Sequence, residues 1–451
     1  MSRVLAREPS LRPASWRGSV GGRIRRLTSG MGAYETAVVV GFFALLPVER
    51  VLAFDVAGYT VRPAMLFMGL FLVASLRFVP AGLGAMPTAV LVLAAVAIAT
   101  AVSYDLVRSL GYAAWAALTI AFALAASGRL RGSEERFRAW LELYCATAAG
   151  WGLVAIGQWF LSFAHADLAY SWFGSLPRLH ALAYETSFFA FYLVPPLFLT
   201  LAARRRVWAV PILLALVLST SRAGAIGVLV GGVVLVALAG RAVRLDVVRG
   251  VALAAVGLVA LVVPVGLDHQ PIGTVAGAVP PMAAEAGEKL DAPYDDFVGL
   301  RDEASAAPRL ASWRNDWRTF KQAPLLGVGP GAHGAYLHAR GEGLDQPASA
   351  IKGTNLWLES GVELGILGLL GLFVWAFAPL PFLWRERRRS AFAVPLLAAL
   401  LASSAMFAFT QTWWVPYRWV PWIFAYALVG PMLLGAVRAR WARRAGPSRS
   451  R

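Results

Sequence analysis

Cysteine and charged residues are scarce in this sequence. Its 451 residues include one cysteine, and charged side chains make up 15% of the chain while hydrophobic ones make up 58%. The single Cys145 excludes both a disulfide framework and a cysteine-based metal site. So few charges, together with a mean hydropathy of +0.62, exclude an ordinary soluble domain. We therefore expect a polytopic membrane protein.

The sequence also lacks the pattern of a cleaved signal peptide. Its first residues are basic, but no apolar segment followed by a small-residue cleavage site comes after them. The net charge of +17 would suggest a nucleic-acid partner in a soluble protein. Here most arginines lie in short segments between apolar runs, so we expect membrane lipids and no nucleic acid as partners.

Apolar runs of spanning length follow one another along most of the chain. Each is close to the ~20 residues that a bilayer requires, which predicts an all-α fold with about twelve transmembrane helices. The runs are 34–54, 57–78, 82–104, 107–127, 137–163, 181–202, 206–220, 223–240, 247–267, 356–384, 391–411 and 417–437.

Positive charge predicts the orientation of these helices. If the N-terminus is cytoplasmic, the arginine-rich connections after Arg129, Arg204, Arg241 and Arg385 all fall inside, as does the basic C-terminus. Both termini are therefore expected in the cytoplasm. The predicted organisation is a basic tail (1–33), a membrane domain (34–267), a large, partly helical periplasmic loop (268–355), further membrane helices (356–437) and a second basic tail (438–451).

Several arginines then lie on the outer side, where the positive-inside bias disfavours them. They are Arg178, Arg222, Arg314 and Arg318. Because a guanidinium presents a bidentate fork of donors, arginines that converge on a membrane surface suit a phosphate or pyrophosphate. For Arg222, which lies between two apolar runs, the alternative is a side chain that snorkels to the headgroups.

Residues 308–368 are the most polar and motif-like stretch of the chain. Leu310, Trp313, Trp317 and Phe320 recur at helical spacing, with Arg314, Arg318 and Lys321 beside them, which predicts an amphipathic helix that ends at Pro324. Gly327, Gly329 and Gly331 then permit either a backbone cradle for an anion or a tight turn packed on a helix.

The outer face also holds candidate acid–base groups. They are His180, Glu185, His333, His338, Glu359 and Glu363. Glu185 is the most suggestive carboxylate, because it begins a predicted helix seven residues after Arg178; its alternative role is to stabilise that helix dipole. A solvated loop explains the acidic residues Asp291, Asp295 and Asp296, so we expect no metal and no cofactor.

In order, these segments resemble the O-antigen ligase and polymerase superfamily of bacterial inner-membrane proteins. Four motifs carry the resemblance, and they cover roughly residues 175–370. They are Arg178 with Glu185-Thr186-Ser187-Phe188; Ser221-Arg222-Ala223-Gly224; Arg314 with the run from Pro324 to Gly331; and Asn355, Leu358, Glu363, Gly365 and Gly368.

The resemblance implies transfer of a glycan from an undecaprenyl-pyrophosphate carrier to a hydroxyl acceptor on the periplasmic face. Arginines that match Arg178 and Arg222 would hold the pyrophosphate and stabilise it as the leaving group. Ligases of this superfamily usually carry a histidine before the asparagine of the last motif, and here that position is Thr354. Because a threonine hydroxyl is no base near neutral pH, another group must take the proton, and Glu185 and His338 are the candidates.

We therefore expect a metal-independent inner-membrane glycosyltransferase, of the O-antigen or exopolysaccharide polymerase type. The alternative within the superfamily is a ligase that transfers glycan to lipid A-core. A flippase of lipid-linked glycans is the alternative from another class, although it would need charges within helices or repeated halves. The sequence does not decide between polymerase and ligase.

Overall fold

The fold is described from a computed structural model. It describes residues 31–48, 52, 54–56, 59–131, 133–163, 165, 171–173, 176–183, 186–203, 205–238, 303–343, 353, 355–410 and 415–444.

The first half of the chain consists of helices interrupted by two short hairpins. Its elements are α1 (Ala33–Leu45), β1 (Phe54–Val56), β2 (Tyr59–Val61), α2 (Pro63–Ser75), α3 (Val79–Ala85), α4 (Ala89–Ala101), α5 (Leu106–Leu130), α6 (Glu134–Ser162), β3 (Ser171–Phe173), β4 (Leu176–Arg178), α7 (Thr186–Ala202), α8 (Ala209–Leu218) and α9 (Arg222–Leu238).

The second half continues with helices. They are α10 (Glu303–Gln322), α11 (His333–Ala339), α12 (Leu356–Phe377), α13 (Leu380–Glu386), α14 (Ala393–Met406) and α15 (Val420–Arg444). Short 3-10 turns Phe407–Phe409 and Pro416–Trp419 lie between α14 and α15. Helices α10 and α11 lie within the predicted periplasmic loop.

The structure supports a membrane protein but confirms only part of the predicted span count. Among the described residues, 4 helical segments are long and apolar enough to cross a membrane: Pro63–Gly84, Leu106–Leu130, Glu134–Ser162 and Leu356–Glu386. Shorter apolar helices of 10–17 residues coincide with further predicted runs, namely Ala33–Leu45, Ala89–Ala101, Thr186–Ala202, Arg206–Leu218, Arg222–Leu238 and Ala393–Phe409. The run 247–267 lies outside the described residues, so the count of twelve stays a prediction.

The prediction of a helical fold is confirmed in the coarse sense that the described chain is mostly helical, and two short antiparallel hairpins join helices within it. In the first, Phe54 pairs with Val61, and in the second, Ser171 pairs with Arg178. Aromatic and β-branched residues such as Tyr59 and Val61 favour strands, and a reading of hydropathy alone assigned them to helices. The fold is mostly helical.

Small residues let the helices approach closely. Helix α9 packs against α7 and α14, with Gly224 facing Ala190 and Gly227 facing Met406. A Cβ at Gly227 would lie 2.5 Å from the Met406 sulfur. Small residues at such crossings are typical of helix packing within membranes, where close contact of backbones replaces hydrophobic burial.

Ion pairs hold one end of the bundle together. Glu35 at the start of α1 accepts from Arg129 at the end of α5 at 2.8 Å, and it pairs with Arg136 at the start of α6 at 3.1 Å. The Arg129 guanidinium also lies over the Phe78 ring. These arginines belong to the end that the sequence predicts to be cytoplasmic, so we name it the ion-paired end.

Candidate active site at the opposite end of the bundle

The glycine-rich segment after α10 is a tight loop that only glycine accommodates easily. Gly327, Gly329 and Gly331 have φ of 72°, 104° and 68°. Side chains other than hydrogen are disfavoured at such angles. We name residues 323–332 the motif loop.

The motif loop is inserted into a break in α12. At Gly365 the backbone leaves helical geometry, with φ 65° and ψ −167°. The carbonyl groups left near the break accept hydrogen bonds from the motif loop, since Val328 N–H donates to Val362 O at 2.9 Å and Gly329 N–H donates to Glu363 O at 3.0 Å. The Ile366 N–H donates in turn to Pro324 O at 2.7 Å.

Close approach explains why glycines occupy both sides of this junction. A Cβ at Gly327 would lie 2.4 Å from the Glu363 carbonyl, and one at Gly365 would lie 2.3 Å from the Leu325 oxygen. The N–H groups of Val328 and Gly329 are used within the protein. The geometry therefore favours the packed turn over an anion cradle at those two groups.

Residues just before α5 and in its first two turns support the motif loop from the other side, a contact that no sequence pattern indicated. Tyr104 N–H donates to Val328 O at 3.1 Å, and the Ser109 hydroxyl donates to Pro330 O at 2.8 Å. Gly331 lies against the Tyr112 ring. The Arg108 side chain hydrogen-bonds Tyr112, and Glu359 and Glu363 lie near enough to act electrostatically on that tyrosine.

Asn355 begins α12, as its place in the predicted motif suggests. Its side-chain oxygen accepts from Trp357 N–H at 3.0 Å and from Leu358 N–H at 3.2 Å, which is N-capping. Glu359 and Glu363, one turn apart on this helix, are both buried. The predicted motif residues Asn355 and Glu363 thus lie together at the start of α12.

Arg222 is the first residue of α9 and its side chain is exposed. Ser221 precedes it and accepts from Gly224 N–H at 3.2 Å through its hydroxyl, so the serine caps the helix. Thr220 has φ of 50°. This strained turn fixes the direction from which the arginine leaves the helix.

A second strained turn follows Arg178. Ala181 has φ of 49°, and it and Thr220 are the described residues other than glycine with positive φ. The Gln158 side chain accepts from Ala181 N–H at 2.9 Å. Strain of this kind costs ~1–3 kcal/mol and often accompanies functional sites. Arg178 is at the end of β4, and its side chain lies outside the described residues.

Helix α10 confirms the predicted amphipathic helix, but its apolar face is only partly as predicted. Arg314 and Arg318 are exposed, as expected, and Arg318 forms an ion pair with Glu342. Trp317 is 50% exposed, whereas Asp316 is 1% exposed. Trp317 was expected on the buried face of α10. That face instead packs against the polar first residues of α12, and there the buried side chain is Asp316.

The acid–base candidates are placed differently from one another. Glu185 and Thr354 lie outside the described residues. His338 has its Nε2 2.9 Å from the Gly343 carbonyl, and the Nδ1 of the buried His180 is 2.8 Å from the Ala183 carbonyl. His333 is 4% exposed, with its Nδ1 3.8 Å from an Asp316 oxygen, and burial lowers its pKa to about 4.

Arg418, at the start of the last predicted apolar run (417–437), was not among the predicted site residues. It is 1% exposed. Its guanidinium donates to the Thr410 hydroxyl at 2.8 Å and lies over the Phe188 and Phe191 rings. The available signal was its position at the start of an apolar run, next to a predicted outer connection.

Aromatic contacts bring these elements to one end of the bundle, which we name the motif end. Phe191 of α7 stacks on Phe407 at a centroid distance of 5.4 Å, and Phe407 meets Trp357 at the start of α12 at 5.5 Å. Trp313 of α10 lies 6.2 Å from Phe409. Since Gly224 of α9 faces Ala190 of α7, the Arg222 turn belongs to the same end.

Comparison with known proteins identifies this part of the chain. The family model described as O-antigen ligase matches residues 207–373, which include Arg222, α10, the motif loop and most of α12. No curated protein matches the chain. The match confirms the predicted resemblance to the O-antigen ligase and polymerase superfamily, and residues 207–373 are the part of the chain that is similar to the O-antigen ligase family.

Proposed function

We propose that this protein is an inner-membrane glycosyltransferase that joins undecaprenyl-pyrophosphate-linked glycan units at its motif end. The family match over residues 207–373 supports an enzyme of the O-antigen ligase or polymerase type, with lipid-linked glycan and acceptor as substrates. The observation that carries the proposal is the position of Arg222, which a strained turn presents at the same end as the motif loop and α12.

In the proposed reaction, an acceptor hydroxyl attacks the anomeric carbon of the donor. The new C–O bond forms while the bond to the pyrophosphate breaks, and the pyrophosphate leaves with the electron pair. Arg178 and Arg222 hold that leaving group and stabilise its growing charge. Arg314 and Arg318 were predicted as further ligands; the Arg318 ion pair with Glu342 must open for that role.

The sequence does not identify the group that accepts the proton. Glu185 stays a prediction, since it lies outside the described residues. His338 also stays a prediction, but its Nε2 faces a carbonyl and so donates a hydrogen bond in this structure. That leaves only Nδ1 of this ring to accept a proton.

Within the superfamily we propose a polymerase of O-antigen or exopolysaccharide, because Thr354 replaces the histidine that ligases usually carry. A ligase that acts on lipid A-core is the second candidate; the matched family is described as O-antigen ligase. The flippase alternative has no support from the family match.

Analysis of surface glycan in a deletion strain tests this assignment. Loss of a polymerase leaves single repeat units attached to lipid A-core, because ligation continues without chain growth. Loss of a ligase leaves no glycan attached. Unchanged surface and secreted glycan in the deletion strain would contradict both candidates.

A further inference from the structure

His333 differs from the other histidines of the motif end in its surroundings. Neither of its ring nitrogens makes a hydrogen bond with any described residue, although the side chain is 4% exposed. A buried polar group left without a hydrogen bond costs ~1–3 kcal/mol. Such a group calls for an explanation, and a ligand that completes its bonding is one.

The nearest charged partner of His333 is Asp316. Its Oδ1 lies 3.8 Å from the His333 Nδ1, and the residue is 1% exposed on the inner face of α10. That distance is longer than a hydrogen bond. Contacts between a catalytic base and its orienting carboxylate are often long without substrate and shorten in the complex.

Both residues lie beside the start of α12. A Cβ at Gly353 would lie 3.1 Å from Asp316 Oδ2 and 2.9 Å from the Glu359 Cβ. Asp316 therefore lies beside Gly353, two residues before the Asn355 cap of α12. The motif loop leads directly into His333, the first residue of α11.

We propose that His333, oriented by Asp316, accepts the proton of the acceptor hydroxyl. This inference rests on the proposed glycosyl transfer. Asp316 accepts a hydrogen bond from Nδ1–H, which fixes the tautomer and leaves Nε2 as the basic atom. As the hydroxyl oxygen bonds to the anomeric carbon, its proton passes to Nε2 and the pyrophosphate departs with the electron pair. The proton then leaves His333 for water.

Burial supports this role because it keeps the imidazole neutral. A pKa of about 4 leaves the ring unprotonated near neutral pH and so able to accept a proton. As the imidazolium forms, the neighbouring Asp316 carboxylate stabilises it, which compensates for the low basicity in the free protein.

The test uses the full-length protein in lipid vesicles with an undecaprenyl-pyrophosphate-linked repeat unit. His333→Gln removes the base but retains hydrogen-bonding capacity. We expect kcat to fall ~10²–10⁴-fold, with the donor KM and the amount of folded protein unchanged. Asp316→Asn should lower kcat in the same direction. A kcat within tenfold of the wild type in His333→Gln would overturn the proposal, whatever Glu185→Gln does.

Two further variants separate chemistry from packing. Tyr336→Phe, in the same helix as His333, removes a hydroxyl bonded to Gln322 at 2.7 Å and should leave kcat unchanged. If His333→Gln does not fold, His333→Phe keeps a ring in the buried site: a folded, inactive phenylalanine variant supports the proposal, and an active one refutes it. If the wild-type protein transfers no glycan, the proposed function has failed independently of His333.

Discussion

The two ends of the bundle use arginine in different ways. At the ion-paired end, Arg129 and Arg136 share the Glu35 carboxylate, and all three side chains are largely buried. At the motif end, Arg222 and Arg314 are exposed, and Arg222 follows a strained turn. The first arrangement uses charge to hold helices together, whereas the second presents charge to the surroundings. Substitutions should therefore reduce stability at the first end and activity at the second.

The largest effect is expected at Arg222. Arg222→Lys keeps the positive charge but replaces a bidentate fork by a point charge. We expect activity to fall ~10²-fold or more, in the range measured when a donor to a developing oxyanion is lost, with folded protein unchanged. Glycan chain length in cells and rate per folded protein in vesicles measure this. Near-normal glycan would show that Arg222 only snorkels to the headgroups.

The next effect concerns the junction between the motif loop and α12. Gly365→Ala places a Cβ 2.3 Å from the Leu325 oxygen, in a backbone conformation that itself costs ~1–3 kcal/mol for a residue with a side chain. The amount of folded protein and its melting temperature should drop. Gly232→Ala is the matched control, because a Cβ there meets no atom within 4 Å. Equal stability of the two variants would contradict the described junction.

At the ion-paired end, Glu35→Gln removes the charge that two arginines share. We expect a loss of about 1–3 kcal/mol in stability, in the range of hydrogen bonds to charged groups. The rate per folded molecule should not change. Glu134→Gln, which affects an exposed pair with Arg138, should cost only about 0.3–0.5 kcal/mol. If Glu35→Gln lost activity without losing stability, the proposed difference between a stabilising end and a functional end of the bundle would be contradicted.

The smallest effect is expected from Gly287→Cys, which should change neither stability nor activity. The predicted topology places residue 287 in the periplasm, so a membrane-impermeant thiol reagent should label it in whole cells. Ser448→Cys in the predicted cytoplasmic tail is the control and should stay unlabelled. The background is low because Cys145 is buried. Labelling of residue 448 but not of residue 287 would show that the protein has the opposite orientation in the membrane.

Sequence patterns predicted the helices that lie on long apolar runs and the existence of α10, because periodicity records which side chains are buried. They missed the hairpin Phe54–Val61, since strand and helix are equally apolar there. They also missed the break at Gly365, because an isolated glycine is tolerated within a helix.

The sequence predicted those parts of the candidate site whose residues are close together in the chain. Arg222, Asn355 and the motif glycines each lie in a short, recognisable pattern, and the family match covers them. The approach of Asp316 to His333 and of Tyr104 to Val328 depends on tertiary packing. Arg418 was passed over because its contacts, to Thr410 and to rings of α7, come from other elements.

In the proposed function, the protein transfers glycan from a polyprenyl pyrophosphate. The most direct measurement supplies purified protein in vesicles with an undecaprenyl-pyrophosphate-linked repeat unit and follows released undecaprenyl pyrophosphate together with glycan length. We expect release of the carrier coupled to longer glycan, and loss of both in Arg222→Lys. Donor that stays intact, or that only crosses the bilayer, would contradict it.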